Sequence, residues 1–221
     1  MRVVSILSGG MDSTLACAKM QEAGHEVIAV HFDYKQRTES KEREAFHAVC
    51  DHYGIDRRYL IPLDFFKTIG ASALTDETIG VPKGAPGAGV PITYVPFRNG
   101  IFLSIAAAIA EKEQAEAIVI GAVEEDSSGY PDCRESFLDA MQEAINQGTK
   151  EQTRLTLLAP LVHLKKEQIV AEAARLSVPM ELTWSCYEQS EAACGECESC
   201  HLRLKGFKKA GLTDPIAYQK R

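Results

Sequence analysis

The chain alternates short apolar runs with longer segments whose apolar positions recur at helical spacing. The short runs are rich in β-branched residues and predict buried strands at residues 3–7, 26–32, 59–63, 117–123 and 155–158. The longer segments predict helices at residues 12–23, 39–53, 99–113, 135–146 and 165–176. Because strands and helices alternate at this spacing, we expect an α/β fold whose parallel sheet is covered by helices on both faces.

Prolines and glycines interrupt the alternation of strands and helices at residues 64–97, where apolar residues recur at no regular spacing. Loops of this length inside a compact domain are usually functional or disordered. The cysteine-rich end of the chain follows the last predicted helix. We therefore expect an α/β domain at residues 1–180 and a small C-terminal segment, packed on it, at residues 181–221.

Composition and charge narrow the class of protein. The 221 residues are 45% hydrophobic and 25% charged, as in ordinary folded domains. A net charge of −7, from 24 basic and 31 acidic residues, disfavours broad binding to nucleic acid. The longest apolar stretch, residues 101–110, is too short to cross a bilayer. The first predicted strand leaves no room ahead of it for a signal peptide, so we expect a cytoplasmic protein without a nucleic-acid or membrane partner.

A phosphate-binding loop is predicted between the first strand and the first helix. Its two glycines allow a tight turn that brings backbone N–H groups to an anion, and the next helix points its N-terminus at the same place. The predicted ligands are Ser8, Gly9, Gly10, Met11, Asp12, Ser13 and Thr14. A carboxylate at Asp12 would repel bare phosphate, so we expect Mg²⁺ to bridge the two. The Walker A and dinucleotide-binding patterns are absent, and a helix-capping glycine turn is the simpler alternative.

Four cysteines near the C-terminus have the spacing of metal ligands. Each C-x2-C pair lets two thiolates face one ion, and four thiolates fill a tetrahedral shell without an open position. We therefore predict one structural zinc per chain bound by Cys186, Cys194, Cys197 and Cys200, with an iron–sulfur cluster as the main alternative. Cys17 and Cys50 are interpreted as small apolar residues, and Cys133 has no visible partner base for nucleophilic catalysis.

The string at residues 8–13 resembles the Ser-Gly-Gly-x-Asp-Ser signature of the PP-loop ATP pyrophosphatases. This resemblance implies an adenine nucleotide α-hydrolase-like fold in which ATP is cleaved between its α and β phosphates and a substrate oxygen is activated as an adenylate. It also implies that a lysine beyond the last strand approaches the phosphates. Lys166 is our choice and Lys165 the alternative, and an exposed lysine at a helix start would explain the position without a function.

Five motifs, in one order over nearly the whole chain, resemble a narrower family. They are the phosphate loop and residues 31–37, 95–99, 128–134 and 186–201. In combination they are similar to the 7-cyano-7-deazaguanine synthases, C–N bond-forming ligases of queuosine precursor synthesis. Phe97 stands where the family pattern has a small residue, often glycine, which bears on the shape of the turn before Arg98.

The resemblance implies that 7-carboxy-7-deazaguanine, ammonia and ATP give 7-cyano-7-deazaguanine through adenylated carboxylate and amide intermediates. One carboxylate can accept the paired N–H donors of a guanine-like edge, with Asp132 or Asp126 as candidates. Arg98 or Arg134 can hold the substrate carboxylate. The predicted catalytic set is Asp12, Lys166, Arg98, Asp132 and Arg134, and the family suggests a homodimer.

Three other functions compete with this one. Another PP-loop enzyme, such as a tRNA-thiolating one, is the first alternative, although the acidic net charge disfavours tRNA binding. A zinc-knot binding module with a vestigial nucleotide fold is the second, and GMP or NAD synthetase is the third. The pattern has no stretch left for a glutaminase, so we expect free ammonia as the nitrogen source.

Overall fold

The computed structural model describes residues 1–85, 87, 89–124 and 129–220. Within these residues, parallel strands form one five-stranded sheet in the order β3-β2-β1-β4-β5: β1 (Arg2–Ile6), β2 (Glu26–Asp33), β3 (Arg58–Pro62), β4 (Ala117–Ile120) and β5 (Thr156–Leu158). The helices are α1 (Met11–Glu22), α2 (Glu39–His52), α3 (Phe66–Ile69), α4 (Arg98–Glu113), α5 (Glu135–Gly148), α6 (Lys166–Arg175) and α7 (Glu198–Lys209). The predicted α/β class with a parallel sheet is confirmed.

Apolar side chains fill both faces of the sheet because successive residues of a strand point to opposite sides. One face, which includes Val3 and Val119, packs against α1, α2, α6 and α7. The other face, which includes Val4 and Ile118, packs against α4 and α5. A third and smaller core surrounds the C-terminal cysteines. Helices therefore cover both faces, and the cysteine segment adds its own core at one end.

The direction in which the chain adds strands reverses between β1 and β4. Ligands of open α/β sheets bind beyond the carboxyl ends of the strands at such a reversal. Gly121, directly after β4, lies so close to α1 that an added Cβ atom would be 2.7 Å from the backbone nitrogen of Ser13. The end of β4 and the phosphate loop therefore border the same crevice.

Two segments differ in detail from the sequence pattern. β4 ends at Ile120 rather than at residue 123, because the chain turns at Gly121 to pass the start of α1. The described positions of residues 64–97 form one helix, the short α3. None of the helices in the described part of the chain has both the length and the apolar composition that a bilayer crossing requires.

Candidate active site

The phosphate loop leaves β1 and turns at Gly9, whose φ of +82° favours glycine. An added Cβ atom at Gly9 would lie 2.7 Å from the carbonyl oxygen of Glu42 and 2.9 Å from Cβ of Ala45, so α2 can approach only because Gly9 has no side chain. On the other side, the Trp184 N–H donates to the Gly9 carbonyl at 2.9 Å. The loop is thus held between α2 and the C-terminal segment.

Hydroxyl groups fix the shape of the loop from within. Ser8 Oγ and Ser13 Oγ lie 2.9 Å apart, and Ser13 Oγ also accepts the Ser8 N–H at 3.1 Å. The buried Thr14 hydroxyl donates to the Gly10 carbonyl at 2.8 Å. The predicted phosphate ligands that line the cavity beside the loop are Ser8, Gly10, Met11, Asp12 and Ser13. Gly9 and Thr14 do not line the cavity, but Gly9 packs against α2 and Thr14 bonds to the Gly10 carbonyl, so both support the loop.

A lysine from the last α/β unit reaches the loop. α6 begins at Lys166, whose Nζ donates to Asp12 Oδ2 at 2.5 Å. Gly206 of α7 packs against it, since an added Cβ atom at Gly206 would lie 3.1 Å from Cβ of Lys166. The Lys166 side chain is only 10% exposed as a result, whereas Lys165 faces solvent. The structure therefore brings Lys166, and not its neighbour, to the phosphate loop.

A cavity of about 260 Å³ opens beside the phosphate loop. Six aromatic side chains line it, which suits a flat ring system. The aromatic lining residues are Phe32, Tyr34, Phe102, Tyr130 and Tyr187, together with Trp184. Phe32 and Phe102 stack on each other with ring centroids 4.2 Å apart. The phosphate loop and the aromatic pocket are parts of one cavity.

Arg98, the first residue of α4, lines this cavity. Its guanidinium lies over the rings of Tyr34, Phe102 and Tyr130, at 5.5, 5.7 and 6.0 Å from their centroids. Nη1 donates to Tyr34 Oη at 3.1 Å, and the buried Nε has no hydrogen-bond partner in the described part of the chain. The guanidinium therefore keeps donors with which it can bind an anion.

The turn before Arg98 has a left-handed residue. Phe97 has a φ of +54°, in the left-handed region that favours glycine. Its N–H donates to Tyr94 Oη at 2.8 Å, and its ring meets that of Phe137 edge-on at 5.7 Å. These contacts hold the turn in the shape that a glycine would adopt more readily.

Two of the other predicted substrate residues, Asp132 and Arg134, lie outside the cavity lining. Asp132 is 3% exposed, and its Oδ2 accepts the Asn99 N–H at 2.9 Å, next to the start of α4. Burial raises the pKa of Asp132. Arg134 is exposed and precedes α5. Asp126 lies outside the described residues. The structure therefore brings Asp12, Lys166 and Arg98 together and places Asp132 behind Arg98.

A further carboxylate, that of Glu42 on α2, lines the cavity and was not among the predicted residues. Its Oε1 accepts the Thr38 hydroxyl at 2.7 Å, and its Oε2 accepts the Gln36 amide at 3.0 Å. Burial raises the pKa of the Glu42 carboxyl, and these two hydrogen bonds lower it. Glu42 thus presents an oriented acceptor group to the cavity.

The sulfur atoms of Cys186, Cys194, Cys197 and Cys200 all lie within 4.8 Å of one another. The Cys194–Cys200 separation is 3.9 Å, close to the ~3.8 Å that Zn–S bonds of about 2.3 Å give in a tetrahedron. The N–H groups of Gln189 and Cys194 point at Cys186 Sγ, each at 3.4 Å. The four cysteines could therefore bind a metal ion.

Two threonines join the cysteine cluster to the cavity. Thr38, the donor to the Glu42 carboxylate, also lies within hydrogen-bond distance of the Cys186 carbonyl, at 3.2 Å. Thr93 accepts from Tyr130 Oη at 3.0 Å and donates to Glu198 Oε2 at 3.1 Å, at the start of α7. The C-terminal segment also supplies lining residues, namely Trp184, Ser185, Tyr187, Ser199, Leu202 and Arg203. It is one wall of the cavity.

One lining residue of that wall is already paired. Arg203 is 1% exposed, and its guanidinium donates to both carboxylate oxygens of Asp214, at 2.7 and 2.9 Å. A further donor reaches the Thr183 hydroxyl at 2.7 Å. Arg203 therefore anchors the C-terminal segment, whereas Arg98 keeps donors for a ligand.

The strand order, the phosphate loop and the shared cavity define a PP-loop α/β protein. Solved structures with this fold include a 4-thiouridine synthetase–RNA complex with bound ATP, at 20% identity and TM-score 0.51 over 98% of this chain and 47% of that one. The U34-tRNA thiolase NcsA from Methanococcus maripaludis aligns at 16% identity and TM-score 0.50 over 81% of this chain and 58% of its own. The chain spans about half the length of these two proteins, and the likeness is one of fold alone.

The model of the family described as queuosine biosynthesis protein QueC matches residues 2–211, and the chain belongs to this family. A relative from Nautilia profundicola named 7-cyano-7-deazaguanine synthase is 60% identical over 100% of this chain and 99% of its own length. A relative of the same name from Aliarcobacter butzleri is 59% identical over 99% of this chain and 96% of its own. The predicted family is confirmed.

Proposed function

We propose that this chain is a 7-cyano-7-deazaguanine synthase, a ligase that makes the nitrile from 7-carboxy-7-deazaguanine, ammonia and ATP. The observation that supports this most is that the phosphate loop and an aromatic pocket with Arg98 share one cavity. An adenylating enzyme needs that arrangement because the substrate carboxylate must meet the α phosphorus of ATP in line. The names of relatives at 60% and 59% identity support the same reaction.

The chemistry removes both carboxylate oxygens as parts of AMP. A carboxylate oxygen attacks the α phosphorus and pyrophosphate leaves. Ammonia then attacks the carbonyl carbon, loses a proton and expels AMP, which gives the amide. The amide oxygen attacks the α phosphorus of a second ATP and a second pyrophosphate leaves; loss of AMP with two protons from nitrogen then gives the nitrile. Adenylation is required because a carboxylate or an amide oxygen is by itself a poor leaving group.

The residues at the phosphate end have separable roles in this proposal. Backbone N–H groups at the start of α1, with the hydroxyls of Ser8 and Ser13, bind the pyrophosphate part of ATP. Asp12 holds Mg²⁺, whose charge offsets that of the phosphates. Lys166 then moves from Asp12 to a phosphate oxygen, where it stabilises the leaving pyrophosphate.

The substrate end relies on Arg98. Its free guanidinium donors bind the substrate carboxylate and orient it toward the α phosphorus. Asp132 fixes the start of α4 through the Asn99 N–H and so positions Arg98. Arg134, which is exposed just before α5 and outside the cavity lining, is the alternative residue for holding the substrate carboxylate.

Zinc fits the four-cysteine cluster because four thiolates at these separations form a closed tetrahedral shell. The ion is then structural, since it has no open position for a substrate. We further propose that residues 1–180 and 181–221 are the two structural parts, that the enzyme is a cytoplasmic homodimer, and that its substrates are free small molecules. The net charge of −7 supports the last point, because tRNA binding needs clustered positive charge.

The test is incubation of the pure protein with 7-carboxy-7-deazaguanine, ammonium and Mg-ATP, followed by mass spectrometry. We expect the nitrile together with AMP and pyrophosphate, and we expect the synthetic amide to react without added ammonium. The rate rises with pH through neutrality as NH₃ replaces NH₄⁺. ADP and phosphate as the sole nucleotide products would refute the adenylation chemistry. Transfer of sulfur to tRNA by the same preparation would favour the thiolating class instead.

A further inference from the structure

Glu42 and Arg98 bring opposite charges to one cavity from different helices, α2 and α4. Each carboxylate oxygen of Glu42 accepts one hydrogen bond from the protein, Oε1 from Thr38 and Oε2 from Gln36. A carboxylate offers about four acceptor positions. One acceptor position on each of the two adjacent oxygens therefore remains for a ligand.

Such a pair of adjacent acceptors selects the edge of a heterocycle. A guanine-type ring has two neighbouring donors, the N1–H and the 2-amino group, so both carboxylate oxygens can be used. The adenine ring of ATP has one amino donor flanked by ring-nitrogen acceptors. A ring nitrogen would repel the second carboxylate oxygen, because both atoms are acceptors. The acceptor pair thus distinguishes the two rings that this enzyme must bind.

We propose that Glu42 is the specificity-determining residue of the cavity, and that it accepts the N1–H and the 2-amino N–H of the 7-deazaguanine ring. This inference rests on the proposed function. It assigns recognition of that edge to Glu42 instead of Asp132 or Asp126, the two candidates from the sequence. Asp132 does not line the cavity, and its Oδ2 already accepts the Asn99 N–H.

The hydrogen bonds of Glu42 prepare it for this role. Gln36 and Thr38 hold the carboxylate before the ligand arrives, which lowers the cost of ordering it on binding. The aromatic residues Tyr34 and Tyr130 lie in the same cavity as walls for the ring. With the donor edge on Glu42, the carboxylate at position 7 is left for Arg98, which brings its positive charge to the same cavity.

The experiment compares 7-carboxy-7-deazaguanine with its analogue that lacks the 2-amino group. Dissociation constants are measured by calorimetry without ATP, so they do not depend on turnover. The variants are Glu42→Gln, which keeps the shape but replaces one acceptor with a donor, and Glu42→Asp, which keeps both acceptors on a shorter side chain. Glu44→Gln is the matched control, because Glu44 lies on the same helix with its side chain 68% exposed.

The unmodified protein and the Glu44→Gln control are expected to bind the full substrate about 10- to 100-fold more tightly than the analogue, the range for a hydrogen bond to a charged group. Glu42→Gln loses most of this preference, and Glu42→Asp keeps it with weaker binding. The KM for ATP stays unchanged in all variants, which also shows that they are folded. An unaltered preference in Glu42→Gln, or a raised KM for ATP instead, would overturn the inference. If tight, edge-selective binding occurs without nitrile formation, the proposed function fails while the role of Glu42 stands.

Discussion

The Nζ atom of Lys166 lies 2.5 Å from Oδ2 of Asp12, although the two residues are 154 positions apart in the chain. The pair neutralises two charges that would otherwise stand half-buried beside the phosphate loop. A ligand that brings both phosphate and Mg²⁺ offers each residue a new partner of opposite charge. The proposed function therefore predicts that ATP binding exchanges this ion pair for those contacts.

Replacing Lys166 with Met should lower AMP formation by about 100-fold, because an electrostatic contact to the leaving pyrophosphate is lost. The neighbouring Lys165→Met is the matched control, since Lys165 faces solvent and should keep the rate of the unmodified enzyme. AMP release under saturating ATP measures both. Equal effects of the two substitutions would contradict the assignment of Lys166.

Replacing Asp12 with Asn should abolish turnover while the fold remains. The amide keeps the shape of the side chain but loses the charge that binds Mg²⁺. Circular dichroism checks the fold, and pyrophosphate release checks activity over a range of Mg²⁺ concentrations. Near-normal rates at any Mg²⁺ concentration would show that Asp12 does not hold the ion.

Elemental analysis should find about one zinc per chain. Structural zinc is coupled to folding, so Cys197→Ser should lower both solubility and melting temperature. Because Thr38 and Thr93 join the cluster to the cavity, chelation of the metal should also weaken binding of 7-carboxy-7-deazaguanine, measured by calorimetry. Iron with visible absorbance in place of zinc would contradict the choice of metal.

Cys133 should be dispensable for chemistry although it lines the cavity. Burial raises the pKa of Cys133 to about 11, so the side chain is a thiol and a poor nucleophile near neutral pH. Cys133→Ala should keep AMP formation within about 3-fold of the unmodified enzyme. A loss of all turnover, with binding of 7-carboxy-7-deazaguanine intact, would point to covalent catalysis by this cysteine.

The ion pairs between α1 and α6 should make stability depend on pH. Hydrogen bonds from Arg175 and Lys19 lower the pKa of Glu172 to about 2. Because the folded pKa lies below the unfolded one, the stabilisation is complete above about pH 4.3 and is lost as the pH falls toward 2. Glu172→Gln should therefore cost about 0.5 kcal/mol at pH 7, a value reduced by solvent screening. The difference in melting temperature between the unmodified protein and Glu172→Gln should decrease below pH 4. A difference that does not change with pH would show that the charge of Glu172 is not the cause.

The strands and helices were predictable because their signals are local. The apolar run at residues 26–32 and the periodic segment at residues 39–53 became β2 and α2 with boundaries within one residue. The end of β4 was not predictable, because residues 121–123 include no polar side chain that would mark the end of a buried strand. What ends the strand is the close approach of α1 to Gly121, a contact that no local pattern contains.

Part of the site also depended on contacts that only the fold supplies. The phosphate loop and the cysteine cluster have characteristic spacings and were found from them. Glu42 had a weaker signal: it precedes Ala45, Phe46 and Val49 by three, four and seven positions and so shares their buried face of α2. An acidic residue within an apolar helix face suggests a function. The sequence does not show which cavity that face borders, because the cavity depends on how α2 packs on the sheet.

The wall that the C-terminal segment contributes has a consequence for biosynthesis of the enzyme itself. The phosphate loop leaves the ribosome well before Trp184, Tyr187 and Leu202, which follow it along the chain. A nascent or prematurely terminated chain that stops before Trp184 has a phosphate loop without the wall beside it and without the N–H that holds Gly9. If the proposed function holds, such a chain lacks a complete pocket for the acceptor and does not cleave ATP. Completion of the last segment is then the step at which the enzyme becomes able to consume nucleotide.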